Sequence, residues 1–577
     1  MRLFSLIPLM FASSVFAEEP SRAVPEAFTG LNYTKASLSK NAMVSAANPH
    51  AVDAALKMLK MGGTATDAAI AAQLVLSLVE PQSSGIGGGA FLLSFDAKTS
   101  KVTTFDGRET APQNATPALF LDKNGKPVKW IDAVIGGKSV GTPGVMRMLS
   151  DAHSKKGKLP WASLFKPAIE LAEKGFMVSP RLASLVKMEM NPGLKLLSPA
   201  KEYFYPNGKA IEEGVLLKNL PFAKTLRKLA ENGVEEFYTG TIAKEIVTAV
   251  QSSEVSPGLL SLSDLKNYTS IEREPVCVEY QASDVYKVCS MGPPSSGGIT
   301  VLQILKLLER YNLTEFPVDS AETIHRYTQA AKLAFADRNR YIADSDFVDV
   351  PVSKMLASDY LEQRSNLIDD KKDLGKAKPG RFNDNRIASN VSIEQPNTSH
   401  LSIVDSFGNA ISMTTSIEMG FGSNVMSGGF LLNNQLTDFS LKPSVNGKLV
   451  ANRVEAGKRP RSSMTPVIVL KDNKVFALIG SPGGSRIINY VGYALIGLLD
   501  YKMDMKQVVD LPRISNRNSY TSLENRAELL EIKPELEAKG HKVRMLNLTS
   551  GIHGILKVEG GWQGAADPRR EGTSEGL

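Results

Sequence analysis

The segment Asn397-Thr398-Ser399-His400 carries a hydroxyl group at a point where a chain could cut itself. Such a hydroxyl can attack the carbonyl group of the preceding residue and form an ester, which water then opens. The product is a new N-terminal threonine, which holds a nucleophile and a base in one residue. Because its α-amine has a reference pKa of about 7.7–8.0, a good fraction is unprotonated near neutral pH. Taken alone, the pattern more often marks a threonine that starts a strand.

A glycine-rich turn, Gly480-Ser481-Pro482-Gly483-Gly484, lies between a predicted strand and a predicted helix. Two glycines at a helix N-terminus allow backbone N–H groups to converge on a negative oxygen, which is the geometry of an oxyanion hole. The alternatives are an ordinary connection and a phosphate-binding loop, but neither nucleotide-binding glycine motif matches this turn. An earlier glycine-rich turn at 83–89 has no helix after it, so it predicts tight backbone packing rather than a dinucleotide site.

The predicted secondary structure places these segments at the ends of strands. Apolar patterning predicts two strand pairs, the first directly after Thr398 and the second leading into the glycine turn, followed by a helix. Their bounds are 400–405 with 410–417, 467–470 with 475–479, and 486–499. Earlier elements are a helix that starts at Asn48-Pro49, a buried helix over 68–79, and strands over 90–95 and 101–106. The polar stretch 369–397 predicts a long loop or mobile tail directly before Thr398.

The composition excludes several classes of protein. Of the 577 residues, 42% are hydrophobic and 22% are charged, which is typical of a globular chain and not of a disordered, collagen-like or multi-span membrane protein. The net charge of +7 is spread along the chain, so we expect a mildly basic surface and no nucleic-acid partner. The six histidines lack the spacing of metal ligands, so we expect no metal ion. No cofactor is expected either.

Residues 1–17 have the features of a secretory signal peptide, with Arg2, a short apolar run and small residues before Glu18. The run is shorter than the ~20 residues of a membrane span, and no later segment qualifies, so no membrane association is expected. The mature chain is therefore predicted to be periplasmic or secreted. In an oxidising compartment, Cys277 and Cys289, on two predicted strands around a polar turn, favour a structural disulfide over two buried thiols.

Seven motifs resemble, in their order and spacing, those of the bacterial γ-glutamyltranspeptidases (glutathione hydrolases), which are self-cleaving N-terminal-nucleophile hydrolases. They extend from about residue 40 to the C-terminus. The motifs are 62–69, 106–112, Pro293-Pro294-Ser295-Ser296-Gly297-Gly298, 397–400, 431–440, Arg459-Pro460-Arg461-Ser462-Ser463-Met464 and 480–486. No single motif is decisive, but the set is highly specific.

The resemblance implies an α/β fold, the four-layer αββα sandwich of N-terminal-nucleophile hydrolases. It implies cleavage between Asn397 and Thr398 into fragments 18–397 and 398–577, which stay folded together as a heterodimer. Thr398 would then be the nucleophile, Ser416 the hydroxyl that orients it (usually threonine in the family), and Gly483 with Gly484 the oxyanion hole. The resemblance also implies two sets of substrate-binding residues. The substrate α-carboxylate would be bound by Arg108, Ser462 and Ser463, and the α-ammonium group by Glu418, Gln435 and Asp438.

These assignments suit a γ-glutamyl group, because a guanidinium and paired acceptors fix both charged ends of a zwitterion. Without the resemblance, Arg108 could equally form a surface ion pair and Asp438 could be a turn residue. The expected reaction is transfer of the γ-glutamyl group of glutathione, glutamine or a related compound. The γ-glutamyl group would first form an ester with Thr398 and would then be transferred to water, an amino acid or a dipeptide.

Two positions depart from the family pattern. Glu418 stands where many members have asparagine, so the preference for the acceptor could differ. The stretch from Asp438 to Ser462 is short and contains no tyrosine, which predicts a member without the lid loop. A more open cleft would admit bulky γ-glutamyl amides and favour water over peptide acceptors.

Two other functions stay open at this point. A same-fold acylase acting on glutaryl-type (cephalosporin) amides would have a substrate without an α-ammonium group, so Asp438 and Glu418 argue against it. A periplasmic binding protein could use the glycine turns and Arg108 to hold an anion, although no feature specifically supports it.

Overall fold

A computed structural model describes residues 28–382, 387–389, 392, 394 and 397–577, so the predicted signal peptide at 1–17 lies outside the described residues. Within these residues, the helices form two groups along the chain, with eleven before residue 270 and seven after residue 290. They are α1 Pro49–Lys60, α2 Ala65–Val79, α3 Trp130–Val134, α4 Val145–Lys156, α5 Trp161–Lys174, α6 Pro180–Lys187, α7 Ala200–Phe204, α8 Leu220–Asn232, α9 Glu235–Tyr238, α10 Thr241–Gln251, α11 Leu262–Lys266, α12 Gly297–Leu308, α13 Ala321–Tyr341, α14 Val352–Met355, α15 Ser358–Ser365, α16 Ile487–Leu499, α17 Met505–Asp510 and α18 Ala527–Ala538.

The strands form two seven-stranded sheets and several small ones. They are β1 Ser37–Ser39, β2 Met43–Ala46, β3 Gly89–Asp96, β4 Lys101–Gly107, β5 Phe176–Met177, β6 Leu216–Leu217, β7 Ile271–Arg273, β8 Val276–Gln281, β9 Val285–Ser290, β10 Ile387–Ala388, β11 Ser399–Val404, β12 Ala410–Ser416, β13 Met426–Ser427, β14 Phe430–Leu431, β15 Ser444–Val445, β16 Lys448–Val450, β17 Val467–Lys471, β18 Lys474–Gly480, β19 Ile514–Asn516, β20 Thr521–Glu524, β21 Val543–Leu546, β22 His553–Val558, β23 Gly561–Ala566 and β24 Thr573–Gly576. The first large sheet has the order β1-β23-β22-β18-β17-β9-β8, and the second has the order β24-β2-β11-β12-β3-β4-β7.

Both large sheets bury apolar side chains on both faces, because successive residues of a strand point to opposite sides. Phe91, Leu93 and Val404 of the second sheet share a core with Ile468 and Leu478 of the first. The other face of the second sheet packs on a helical layer that includes α1, α2, α4 and α5. The other face of the first sheet packs on α12, α13, α16 and α17. The fold is therefore a four-layer αββα sandwich, which confirms the predicted fold class.

The two strands nearest the predicted cleavage point are neighbours in the second sheet. Ser399, the first residue of β11, pairs with Thr415 of β12, so the register places Thr398 beside Ser416 at one end of the sheet. The end of β18 approaches from the other sheet, where a Cβ at Gly480 would lie 2.2 Å from the His400 ring. The glycine therefore allows the two sheets to approach closely beside the predicted nucleophile.

The predicted helices are present in the structure, but the ends of some of them differ from the predicted ones. Asn48 caps α1 by accepting from the N–H of His50, with proline at the first helical position as predicted. The buried second helix begins at Ala65 rather than residue 68, because Thr64 and Asp67 form a capping box one turn earlier. In the part of the chain that the structure describes, no helix is long and apolar enough to cross a membrane.

The polar stretch before Thr398 is partly tied to the fold. Asp373 forms a buried ion pair with Lys332 of α13, and β10 pairs in parallel with β16. The strand β16 also pairs with β15, so the short segment after Asp438 folds as a small hairpin. The expectation of a long loop or mobile tail is therefore incomplete for the described residues of this stretch, because partners distant in sequence hold some of them.

Candidate active site

Thr398 is buried immediately before β11, with 3% of its surface exposed. Its hydroxyl group donates a hydrogen bond to the carbonyl oxygen of Asn397, the residue before it. Ser416 Oγ lies 3.3 Å from Thr398 Oγ1 and donates to the same carbonyl oxygen over 3.1 Å. The backbone N–H of Glu418 donates in turn to Ser416 Oγ at 2.9 Å. The Thr398 hydroxyl group and a second hydroxyl donor therefore lie against the peptide bond at which cleavage is expected.

The turn after β18 brings Gly484 into the same pocket as Thr398. Gly483 and Gly484 have φ values of +138° and +56°, a region that side-chain-bearing residues rarely adopt. A Cβ at Gly483 would also lie 2.7 Å from the ring of Tyr490. Of the two predicted oxyanion-hole residues, Gly484 thus lines the pocket, whereas Gly483 packs against Tyr490 in the same turn.

The earlier glycine turn has a packing role. A Cβ at Gly88 would lie 2.2 Å from the carbonyl oxygen of Ser416, and one at Gly87 would lie 2.2 Å from that of Leu431. Gly88 therefore lets the turn touch the strand end that carries Ser416, and Gly87 lets it touch β14, which is the tight backbone packing that the sequence predicts.

The pocket around Thr398 contains every residue that the resemblance assigns to substrate binding. Its lining consists of Arg108, Glu394, Asn397, Thr398, Ser416, Glu418, Gln435, Asp438, Ser462, Ser463, Met464, Gly484 and Ile487. The space that remains has room for roughly one or two water molecules. The uncut chain thus fills its own pocket.

Arg108 follows directly after β4 and is 1% exposed, which excludes the alternative of a surface ion pair. Its Nη2 lies 2.5 Å from Asp438 Oδ2 and 3.1 Å from the carbonyl oxygen of Arg461. Its Nε donates to the carbonyl oxygen of Pro460 over 3.1 Å. Arg108 is therefore held at the wall of the pocket, with Asp438 as its nearer ionic partner and Glu109 as a second one at 3.6 Å.

Asp438 ends a short 3₁₀ turn that starts at Gln435, and the two side chains are joined by a 3.0 Å hydrogen bond from Gln435 Nε2 to Asp438 Oδ2. Gln435 Oε1 and Asp438 Oδ1 are buried and accept no hydrogen bond from any described residue. Glu418, with φ +77°, lines the same pocket. Burial raises the pKa of Asp438, the charge of Arg108 lowers it, and the charge of Glu394 raises it again. The cluster therefore presents spare acceptor oxygens, a fit for a cationic donor.

Three charged residues of the site were missed by sequence reasoning. Glu394 and Arg338 form an ion pair of 2.5 Å in which both side chains are buried. Arg338 also donates to Ser463 Oγ over 2.7 Å, and Arg461 Nη2 lies 4.0 Å from Glu394. Two features of the sequence could have indicated two of them: Glu394 is close to Asn397, and Arg461 lies within the motif 459–464. Nothing local marks Arg338, which lies in the long helix α13.

The two cysteines form a disulfide between paired residues of β8 and β9. Neither Cys277 nor Cys289 lines the pocket around Thr398. Across the described ranges, no group of three or more His, Cys, Asp or Glu side chains is arranged to hold a metal ion.

Comparison with known proteins gives the same picture as the motifs. The γ-glutamyltranspeptidase family profile matches residues 51–577. The chain is 35% identical to the glutathione hydrolase proenzyme of Bacillus subtilis (strain 168), with 99% of this chain and 97% of that protein covered. Identity to the proenzyme of Escherichia coli (strain K12) is 37%, with 92% and 91% covered. The solved structure of cephalosporin acylase from Bacillus halodurans matches with a TM-score of 0.83 at 26% identity, covering 95% of this chain and 98% of that one. The chain therefore belongs to the γ-glutamyltranspeptidase family.

Proposed function

We propose that this chain is a self-processing γ-glutamyl hydrolase and transferase with Thr398 as its cleavage site and nucleophile. The observation that carries the proposal is the pair of buried acceptor oxygens on Gln435 and Asp438, in the same pocket as the Thr398 hydroxyl. Buried acceptors without donors are costly, and the α-ammonium group of a γ-glutamyl substrate would satisfy them.

Self-cleavage would begin with attack of Thr398 Oγ1 on the carbonyl carbon of Asn397. The Thr398 hydroxyl loses its proton, the bond from the carbonyl carbon to the Thr398 nitrogen breaks, and that nitrogen takes up a proton. The resulting ester is hydrolysed by water, which leaves a carboxylate on Asn397 and a free α-amine on Thr398. The hydrogen bond from Ser416 to the Asn397 carbonyl oxygen supports this step, because it stabilises negative charge on that oxygen.

In the cut chain, the Thr398 α-amine would act as the base for its own hydroxyl. Thr398 Oγ1 attacks the γ-glutamyl carbonyl carbon, and backbone N–H groups of the Gly483-Gly484 turn stabilise the oxyanion. The amine of the leaving group departs with a proton, and water or an amino acceptor then releases the γ-glutamyl group from the ester. Glutathione and glutamine are the proposed donors, and amino acids or dipeptides the proposed acceptors.

The first test compares purified wild-type chain with a Thr398→Ala variant by denaturing electrophoresis and N-terminal sequencing. The wild type should give two fragments, 18–397 and 398–577, the smaller starting Thr398-Ser399-His400. The variant should give one uncut chain, because it lacks the attacking hydroxyl. An N-terminus at Glu18 on the larger fragment would support the proposed signal peptide and export to the periplasm or medium. A wild type that stays uncut would refute Thr398 as the nucleophile.

A same-fold acylase is the second candidate, because a cephalosporin acylase matches this fold over 95% of the chain. Its glutaryl-type substrate has no ammonium group and would leave the acceptors of Gln435 and Asp438 unsatisfied. We therefore expect L-γ-glutamyl-p-nitroanilide to be hydrolysed at least about tenfold more efficiently than glutaryl-p-nitroanilide, since one charged hydrogen bond contributes about 1.5–3 kcal/mol. Preference for the glutaryl compound would favour the acylase instead.

Hydrolysis of L-γ-glutamyl-p-nitroanilide also tests the expectation that the open cleft favours water over peptide acceptors. The segment after Asp438 is only a small hairpin, and we propose a lidless, open cleft in which water competes well with acceptors. Adding glycylglycine at low concentration should then raise the release of p-nitroaniline only slightly. Strong transfer under those conditions would contradict the preference for water over peptide acceptors while leaving the γ-glutamyl assignment intact.

A further inference from the structure

Arg570 is a buried residue that contacts Thr398 without lining the pocket, and only 4% of its surface is exposed. Its Nη1 donates a hydrogen bond of 3.2 Å to the carbonyl oxygen of Thr398. Its Nη2 donates one of 3.2 Å to the carbonyl oxygen of Thr549. A Cβ at Gly551 would lie 2.7 Å from Arg570 Cδ, so the glycine makes room for the arginine. The predicted nucleophile is therefore held by a guanidinium group through its own backbone.

This guanidinium group is also close to the nitrogen of Thr398, which becomes an α-amine if the chain is cut. The nitrogen and the carbonyl oxygen of one residue are about 3 Å apart, so Arg570 Nη1 lies within roughly 7 Å of that nitrogen. Cleavage would break the bond on the other side of the nitrogen, and the carbonyl group that Arg570 contacts would stay in the chain. A positive charge at such a distance disfavours the protonated form of an amine.

Arg570 belongs to a cluster of two guanidinium groups and two carboxyl groups. Its charge acts on Glu80, at the end of α2, together with the charges of Arg181 and Glu571. The backbone N–H of Arg181 donates to Glu571 Oε1 over 2.8 Å. Burial raises the pKa of Glu80 to about 7, although Arg181 and Arg570 act to lower it. Because Glu80 is then mostly uncharged below neutral pH, two guanidinium groups face one other carboxylate there, and the cluster is positive.

Two buried histidines in the strands around Thr398 do not add to this charge. Burial lowers the pKa of His400, in β11, well below its usual value. Burial lowers the pKa of His553, in β22, to about 3, against the charge of Asp567 and together with the charge of Arg570. Both imidazole rings are therefore neutral near pH 7, and the charge of Arg570 already disfavours protonation of one neighbour.

The charges on the pocket side of Thr398 largely offset one another. The charged side chains that line the pocket are Arg108, Glu394, Glu418 and Asp438. Arg108 pairs with Asp438, and two further guanidinium groups, those of Arg338 and Arg461, face Glu394. Three carboxylates thus stand against three guanidinium groups on that side. Arg570, by contrast, bonds to Thr398 itself.

We propose that Arg570 is a positioning residue for Thr398, and that its charge keeps the α-amine of the cut chain unprotonated so that the amine can act as the base. The inference rests on the proposed function and goes beyond it, because it assigns control of the base to a residue outside the pocket. A free α-amine has a reference pKa of about 7.7–8.0. A like charge this close should lower that value by about one unit or more.

The test measures kcat/KM for L-γ-glutamyl-p-nitroanilide with the cut enzyme between about pH 5 and pH 9, because the acidic limb of this profile reports the base of the free enzyme. The midpoint of the wild-type limb should lie below about pH 7. Arg570→Met should move the midpoint to higher pH by about one unit or more, because the neutral side chain no longer repels the ammonium form.

Two further variants separate the charge of Arg570 from its packing. Arg570→Lys retains a positive charge, so its midpoint should stay close to that of the wild type even where its kcat/KM is lower. Arg227→Met is the matched control, because it removes a guanidinium group from the exposed surface of α8, where Arg227 pairs with Glu173. Its midpoint should equal that of the wild type.

A purely structural role of Arg570 would lower kcat/KM of Arg570→Met by the same factor at every pH, and such an unshifted midpoint would overturn the inference. If the Arg570→Met chain stays uncut, Glu571→Gln supplies a test of opposite sign. It removes a negative charge beside Arg570 and should move the midpoint to lower pH, and an unmoved midpoint would overturn the inference as well. The proposed function fails separately, namely when the wild-type enzyme does not hydrolyse L-γ-glutamyl-p-nitroanilide at any pH.

Discussion

At the scale of single residues, Ser416 donates a hydrogen bond to the carbonyl oxygen of Asn397, on which negative charge would develop in the proposed self-cleavage. The Ser416→Ala variant should cut itself roughly 100-fold more slowly than wild type, because one donor to a developing oxyanion contributes about that factor. The measurement is the uncut fraction followed over time by denaturing electrophoresis of freshly purified chain.

The Ser416→Thr variant is the matched control for this prediction. Threonine keeps the hydroxyl group and is the usual residue of the family at this position, so this variant should be cut at close to the wild-type rate. If Ser416→Ala is cut as fast as wild type, the hydroxyl does not stabilise the transition state, and its contacts with Thr398 and Asn397 are structural.

Residue types and spacing predict the polar side chains that line the pocket, but they do not predict the buried ion pairs around it. Asp438 and Gln435 lie within one quoted motif and reach the pocket together. Glu394, Arg338 and Arg461 could not be assigned in the same way, because charged residues are mostly exposed and their burial depends on partners far away in sequence. Arg338 in α13 meets Glu394 only after the chain has folded.

At the scale of elements, the strand pair β11 and β12 follows directly from the alternating pattern of the sequence. Its predicted bounds differ from the observed ones by one residue, and the register alone sets Thr398 beside Ser416. The glycine turn after β18 is predictable for a different reason, since the φ values of Gly483 and Gly484 are ones that other residues rarely adopt. Both sides of the candidate active site are therefore encoded locally.

The segment before Thr398 is the element that local patterns describe least well. Its polarity predicts a loop, but Asp373 is tied to Lys332, and β10 adds to a small sheet with β15 and β16. Neither partner is near in sequence, so only the tertiary fold determines how much of the segment is held. This anchoring matters because the same segment carries Glu394 into the pocket.

At the scale of the whole molecule, each large sheet contains strands from both proposed fragments. In the second sheet, β24, β11 and β12 belong to fragment 398–577, while β2, β3, β4 and β7 belong to fragment 18–397. The strand β2 lies between β24 and β11, and it therefore pairs with the other fragment on both sides. The disulfide joins two cysteines within the larger fragment and does not link the two.

This interleaving predicts that cleavage does not separate the fragments. Dissociation would break the ladders on both sides of β2 and expose the core between the sheets, including Phe91, Ile468 and Leu478. The cut enzyme should therefore elute from a size-exclusion column as one species containing both fragments, with or without a thiol reductant, and should separate only in denaturant. The uncut Thr398→Ala chain, run beside it, is the control for elution volume. Two separate peaks without denaturant would show that the strands do not hold the fragments together. The candidate active site takes Thr398 from one proposed fragment and Arg108 from the other, so it would then be lost on dilution.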